Sequence, residues 1–172
     1  MINQKGGVGK TTTVINLATS LSILGQNNLI IDLDPQGNAT MGSGINKYDL
    51  DYSLADILLD SSKNVEDIIC KAEEGFDLVP SNQALTFAEV KLLDVNNREL
   101  VLKKILAKIQ DNYDFIIIDC PPSLSLLTIM ALVASDALVV PLQTEFFALE
   151  GLTQLMKTIE RIKSNLNPSL DI

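Results

Sequence analysis

The segment Lys5-Gly6-Gly7-Val8-Gly9-Lys10-Thr11-Thr12 constrains this chain more than any other. Its glycines leave backbone N–H groups unobstructed, so the loop can wrap closely round phosphate oxygens. Lys10 places a point charge where β- and γ-phosphates would lie, and Thr11 offers a hydroxyl to Mg²⁺. Downstream, Val14, Leu17, Ala18, Leu21 and Leu24 recur at helical spacing, so a helix N-terminus adds its dipole to the anion site. The common pattern G-x-x-x-x-G-K-[ST] is not met, because Gln4 stands where its first glycine belongs. The form here is K-G-G-x-G-K-[ST], with Lys5 as a second lysine. Such a set of fixed positions arises by chance at roughly one start in ten million. A glycine-rich turn with solvated lysines is a poor competitor to a nucleotide-binding loop.

A phosphate loop that opens a helix belongs in an α/β fold, and the rest of the chain agrees. Apolar runs at 29–33, 115–118 and 137–142, with a weaker one at 76–79 closed by Pro80, read as strands buried on both faces of a parallel sheet. Helical patterns lie between them. Ser53 with Asp56 resembles a capping box that opens a short helix through Leu59. Residues 85–93 and 97–109 form a helical pair, the second with Val101, Leu102, Ile105, Leu106 and Ile109 on one face, and 124–134 and 149–166 complete the set. The expected fold is a doubly wound, mostly parallel sheet with helices on both faces. No repeat, low-complexity tract or linker interrupts it, so residues 1–172 are read as one nucleotide-binding domain. The ends are unusual: Ile2 is the sole strong strand former before the loop, and the alternation calls for a further strand starting near Leu170. The expectation is a piece of a longer chain, lacking its first strand and its C-terminal elements.

Composition narrows the chemistry. At 172 residues with 47% hydrophobic content, the chain can bury a sizeable core. No stretch has the length and uniform apolarity of a membrane helix, and no signal peptide is expected before the phosphate loop. The two cysteines, Cys70 and Cys120, form no metal-binding spacing, which suits a reducing cytosol. Histidine is absent, which excludes imidazole bases and His-ligated zinc. The net charge of −9 makes the chain as a whole a poor binder of nucleic acid.

Carboxylates must therefore do the acid–base work. Asp34 lies in Ile30-Ile31-Asp32-Leu33-Asp34-Pro35-Gln36-Gly37-Asn38, where Pro35 and Gly37 force a turn straight after the strand and expose Asp34 in the crevice. There it can orient the water that attacks a γ-phosphate, or hold a Mg²⁺-bound water. Asp32 points to the other face of the strand, to cap or to assist. Asp119, after four apolar residues, has the form of a Walker B aspartate that supports Mg²⁺. Pro121-Pro122 then stiffens a loop suited to sensing the γ-phosphate. Cys120 reads as a small packed residue, with nothing beside it to lower its pKa. Lys5 is either a solvated loop lysine or a second cation on the phosphates, acting in cis or in trans.

With these residues in place, the chain resembles ParA-type partition ATPases of the deviant Walker A superfamily, close to the chromosomal Soj-like branch. The resemblance rests on Gln4-Lys5-Gly6-Gly7-Val8-Gly9-Lys10-Thr11-Thr12-Thr13, on Asp32-Leu33-Asp34-Pro35-Gln36-Gly37-Asn38-Ala39-Thr40, on Asp119-Cys120-Pro121-Pro122-Ser123-Leu124 and on the stretch 141–151. It implies a cytoplasmic switch that binds ATP and Mg²⁺, closes into an ATP-dependent homodimer, and hydrolyses ATP slowly. A centromere-binding ParB-type partner stimulates that hydrolysis, and the full-length parent binds DNA non-specifically, without a membrane anchor. By position, Lys5 would reach the partner subunit's nucleotide, residues 5–12 would hold the phosphates, and Lys10 and Thr11 would meet phosphate and Mg²⁺. Asp34 would position the attacking water and Asp119 would support the metal. The family's DNA-contacting residues and part of its adenine pocket fall outside this sequence.

Other classes compete. A MinD-like ATPase that positions division sites would use a C-terminal amphipathic helix as its anchor, but the Asp-Pro-Gln-Gly-Asn block argues against it. A nitrogenase-reductase-type electron carrier needs two cluster cysteines, and Cys70 and Cys120 do not fit. An ATP-dependent biosynthetic ligase would need a substrate pocket with no signature here. A nucleotide-binding module without turnover is the remaining alternative.

Overall fold

The computed structural model describes residues 1–143 and 148–172, with main chain alone for 148–150. The chain enters through the phosphate loop into α1 (Lys10–Ile23), then β1 (Asn28–Asp32), α2 (Asn38–Gly42) and α3 (Leu54–Leu59). After a short 3-10 turn come β2 (Cys70–Lys71), β3 (Asp77–Val79), α4 (Ala84–Leu92) and α5 (Val101–Leu106). β4 (Phe115–Asp119), α6 (Leu126–Ala134) and α7 (Ala148–Asn165) follow. The strands form one sheet in the order β2-β3-β1-β4. β1 is central, parallel to β3 and to β4, while β2 adds an antiparallel edge. Each parallel step crosses over through helices, as parallel pairing requires.

Every residue of β1 is buried, as expected of a strand covered on both faces. Successive side chains alternate between two cores. Leu29, Ile31, Val79 and Ile118 join the larger cluster with α3, α4, α5, α6 and α7. Ile30, Leu78 and Phe76 pack on the opposite face against Val14 and Ala18 of α1 and Ala39 of α2. Helices therefore lie on both faces, and the sheet is doubly wound.

Several local expectations are corrected. The 137–142 run is not a strand; Ala137 makes one parallel bridge to Asp171, and Leu138 N–H donates to the Asp171 carbonyl at 2.9 Å. The strand expected near Leu170 is reduced to that bridge. Residues 97–109 contain a 3-10 turn at Arg98–Leu100 before α5 rather than one continuous helix. The helix after the phosphate loop ends at Ile23, and its buried stripe is narrow: Leu17 is 40% exposed and Leu24 73%. The Ser53 cap holds as read, with Asp56 accepting the Ser53 N–H at 2.9 Å. Of the 141–151 stretch, residues 144–147 lie outside the described residues.

Met1 and Ile2 lie beside the outer edge of β4. The Met1 ammonium donates to the Ile118 carbonyl at 2.7 Å, Cys120 N–H donates to the Met1 carbonyl, and Ile2 N–H donates to the Val139 carbonyl. Below them a cavity of about 390 Å³ opens, lined by Phe115, Ile116, Ile117, Leu17 and Val139 among others. The functional end of the sheet is the carboxyl one, where β1 and β4 deliver their carboxylates: Asp32 and Asp119 are paired in register.

Candidate functional site

The phosphate loop turns into α1 at Gly9, whose φ of +86° belongs to the left-handed region that glycine occupies at no steric cost. The Gly9 carbonyl accepts both the Thr13 N–H and the Thr13 hydroxyl, so the first turn of α1 is closed. The free N–H groups of that turn and the positive end of the helix dipole make an anion site. Gly6, Gly7, Gly9, Lys10, Thr11 and Thr12 line a cavity of about 630 Å³ together with Asp34, Gln36, Asn38 and Pro122. That volume suits a small cofactor.

Lys10 is 7% exposed, and its Nζ donates to the Lys5 carbonyl at 3.2 Å. Lys5 is half-buried and donates its N–H to Asn3 Oδ1 at 2.9 Å, and Asn3 in turn donates to the Pro141 carbonyl. Gln143 reaches the Gly7 carbonyl at 3.2 Å. The loop is thus strapped to the segment after α6. Val8 turns away from the cavity into the protein, where it is buried.

Thr11 donates its hydroxyl proton to Asp119 Oδ2 at 2.6 Å, joining residues far apart in the chain. Burial raises the Asp119 carboxyl above its ordinary value, opposed by the bond from Thr11. Its Oδ1 is buried with no hydrogen-bond partner among the described residues. Such an orphan is costly unless something meets it. A hydroxyl beside a carboxylate with a spare oxygen is a hard-oxygen donor set that suits Mg²⁺. Asp34, at the cavity wall, accepts the Gln36 N–H on Oδ1 at 2.9 Å, while its carbonyl accepts the Gly37 N–H. The structure therefore brings Lys10, Thr11, Asp34 and Asp119 to one end of the sheet, and it leaves Lys5 and Val8 off the cavity wall.

The loop, helix and sheet are arranged as in P-loop folds, and the known proteins that this chain is similar to share that fold. The AAA domain family matches residues 1–172. The sporulation initiation inhibitor protein Soj of Bacillus subtilis is 49% identical over 170 residues, covering 99% of this chain and 67% of that protein. The chain belongs to the ParA/Soj family. The chromosome partitioning protein ParA of Caulobacter vibrioides is 48% identical over 172 residues, covering 99% of this chain and 64% of that one. Among solved structures, cobyrinic acid a,c-diamide synthase from Mycobacterium smegmatis, with a bound ATP analog and magnesium, superimposes with a TM-score of 0.95. It is 40% identical, with 99% of this chain and 69% of that chain covered. The chain spans from 54% to 67% of the length of the curated relatives that it matches.

Sequence reasoning left Asp32 between capping and assisting, and gave no part to Thr40 or Ser81. Asp32 is fully buried, and its Oδ2 accepts both the Thr40 N–H at 2.8 Å and the Thr40 hydroxyl at 2.7 Å. Burial pushes its carboxyl up to about 7, against the bonds from Thr40 that pull it down. Ser81 N–H donates to Thr40 Oγ1 at 2.9 Å and Ser81 Oγ donates to the Asp34 carbonyl at 2.7 Å. Thr40 stood inside a recognisable block, so its position was visible although its role was not. Ser81 carried no signal, because only the β1–β3 pairing brings it there.

Proposed function

We propose that this chain is the nucleotide-binding unit of a partition ATPase, a switch that binds ATP and Mg²⁺ and hydrolyses ATP slowly. The observation that carries the reading is the convergence of Lys10, Thr11, Asp34 and Asp119 at one end of the sheet, the first three on the wall of a single cavity. The ATP analog and magnesium bound to the M. smegmatis neighbour support the choice of ligand. The α1 N-terminus and Lys10 bind the phosphates, which fixes the γ-phosphoryl group relative to the loop. Thr11 and Asp119 would hold Mg²⁺, which when bound neutralises charge developing on the phosphate oxygens. Asp34 accepts a hydrogen bond from the attacking water and orients it, and Lys5 supplies a further cation in an ATP-dependent homodimer.

The name of the C. vibrioides relative, a chromosome partitioning protein, supports a role in chromosome or plasmid partition, and a ParB-type protein is proposed as the stimulating partner. Non-specific DNA binding is assigned to the full-length parent, since the net charge of −9 disfavours it in these residues. No helix of the described residues is long and apolar enough to cross a membrane. The expected place of work is the bacterial cytoplasm, at the nucleoid. A second reading, an ATP-dependent amide ligase, is favoured by the 40% identity to the M. smegmatis synthase. The higher identity to Soj and ParA weighs against it.

The test is thermal unfolding with and without ATP·Mg²⁺, followed by phosphate release. Ligand at about 100 times its dissociation constant stabilises the fold by about 2.7 kcal/mol. The wild-type midpoint should rise and that of Lys10→Ala should not. Equal shifts in both proteins would sink the phosphate-loop assignment. Asp34→Ala should keep the shift and lose turnover.

A further inference from the structure

We propose that Asp32 is a positioning residue for ATP hydrolysis: it closes the 34–40 loop into a ring that aims Asp34. The inference rests on the reading of Asp34 as the water-orienting group. Asp32 makes no approach to the nucleotide cavity, whose wall it does not share, and it is fully buried. Its oxygens are already occupied by the Asp34 N–H on Oδ1 at 3.2 Å and by two donors from Thr40 on Oδ2. A carboxylate so enclosed does not handle the attacking water itself.

What it does hold is both ends of the loop. The Asp34 N–H and the Thr40 N–H are the first and last donors of the turn, and one carboxylate receives both. Thr40 passes the tie onward, because its hydroxyl gives its proton to Asp32 and takes the Ser81 N–H. Ser81 completes the circuit by donating to the Asp34 carbonyl. Asp34 is therefore clamped on both its N–H and its C=O, through Asp32 and Ser81, before its side chain reaches the cavity. Gly37 permits the closure, since the main chain at Ser81 lies where a side chain would stand. The chemistry of the clamp requires an acceptor at every contact. An amide in place of the Asp32 carboxylate carries N–H donors on one end, which would face either the Asp34 or the Thr40 N–H.

A displacement of about 1 Å in a group that orients a reactant costs about 10²-fold in rate. Asp32→Asn and Thr40→Val should thus lower kcat by about 10- to 100-fold. The affinity for a fluorescent ATP analogue, set by the phosphate loop, should stay within about twofold. Thr40→Ser, which keeps the hydroxyl, should recover most of the rate. Asp34→Ala is the reference for the reading beneath it. If Asp34→Ala abolishes turnover while Asp32→Asn and Thr40→Val leave kcat unchanged, the positioning role is overturned. A parallel fall of kcat and nucleotide affinity, unrescued by Thr40→Ser, would also overturn it, since that marks general damage to the fold. Should Asp32→Asn fail to fold, Thr40→Val and Thr40→Ser decide the matter alone. Unchanged turnover in Asp34→Ala would instead overturn the assignment of Asp34 and, with it, this inference.

Discussion

Replacing Gly37 by Ala tests how tightly the 34–40 loop is pressed onto the end of β3. Gly37 has φ +60°, and a Cβ added there would stand 2.7 Å from the Ser81 carbonyl oxygen and 2.9 Å from Lys47 Cδ. The lysine can swing away at little cost. The Ser81 main chain cannot, because its N–H is bonded to Thr40 and its side chain to the Asp34 carbonyl. A left-handed conformation costs an alanine about 1–2 kcal/mol. Forcing an extra methyl against fixed backbone adds about 1–3 kcal/mol. The stiffer unfolded chain returns about 0.4–1 kcal/mol. The net loss is about 1–5 kcal/mol, and at about 2–4 °C per kcal/mol for a domain of this size the midpoint should fall by about 10 °C at the middle of that range. Gly44→Ala is the control: φ is +78°, but nothing lies within 4 Å of an added Cβ. Only the conformational cost, less the same unfolded-chain gain, applies there, so its midpoint should fall by no more than about 6 °C. Differential scanning calorimetry on both variants reads the difference directly. Equal falls would refute the reasoning, because they would mean that the Ser81 carbonyl yields freely.

Further outcomes follow from the same geometry. Asp119→Asn keeps the shape of the side chain but removes its charge, so thermal stabilisation by ATP should become the same in Mg²⁺ as in EDTA; a retained Mg²⁺ dependence would remove Asp119 from the metal site. Leu102→Ala, at a fully buried position of α5, should cost about 2–5 kcal/mol in urea unfolding. Leu24→Ala, exposed beyond the end of α1, should stay within about 0.5 kcal/mol, and a core-sized loss there would contradict the narrow stripe seen in α1. Cys120 is buried and its thiol is pushed up to about 11 by that burial, so at pH 8 a disulfide reagent should label Cys70 first. The thiolate fraction of Cys120 should grow about tenfold per pH unit up to that value, so labelling of Cys120 in the native chain at pH 8 as fast as in urea would contradict the burial.

The phosphate loop and the turn after β1 were legible without coordinates because their chemistry is local. Glycines, a lysine and a threonine in consecutive positions carry the loop, and Pro35 with Gly37 forces the turn at Asp34. The strands β1 and β4 were legible for a related reason: a strand covered on both faces must be apolar throughout, and few other segments are. The 137–142 run met the same criterion and failed, because a strand also needs a neighbouring edge over its whole length, and among the described residues the run has one bridge at Ala137 and isolated main-chain bonds at Leu138 and Val139. β2 is two residues long, too short to leave any pattern. The buried stripe of α1 is narrower than its periodicity because, of its apolar residues, Val14 and Ala18 alone are buried against the sheet, with Ile15 only partly covered; which apolar residues find a partner depends on what packs above them.

By itself, then, the sequence determined the kinds of group available and the local turns that expose them: a loop that takes phosphate, a carboxylate at the end of β1 and another at the end of β4. The tertiary structure alone decided which of those groups meet. Thr11 finds Asp119, and Asp32, Thr40 and Ser81 close round Asp34, only because β1 lies between β3 and β4 in parallel. The physical reason is that a hydrogen bond reads distance in space, whereas propensity and periodicity read distance along the chain.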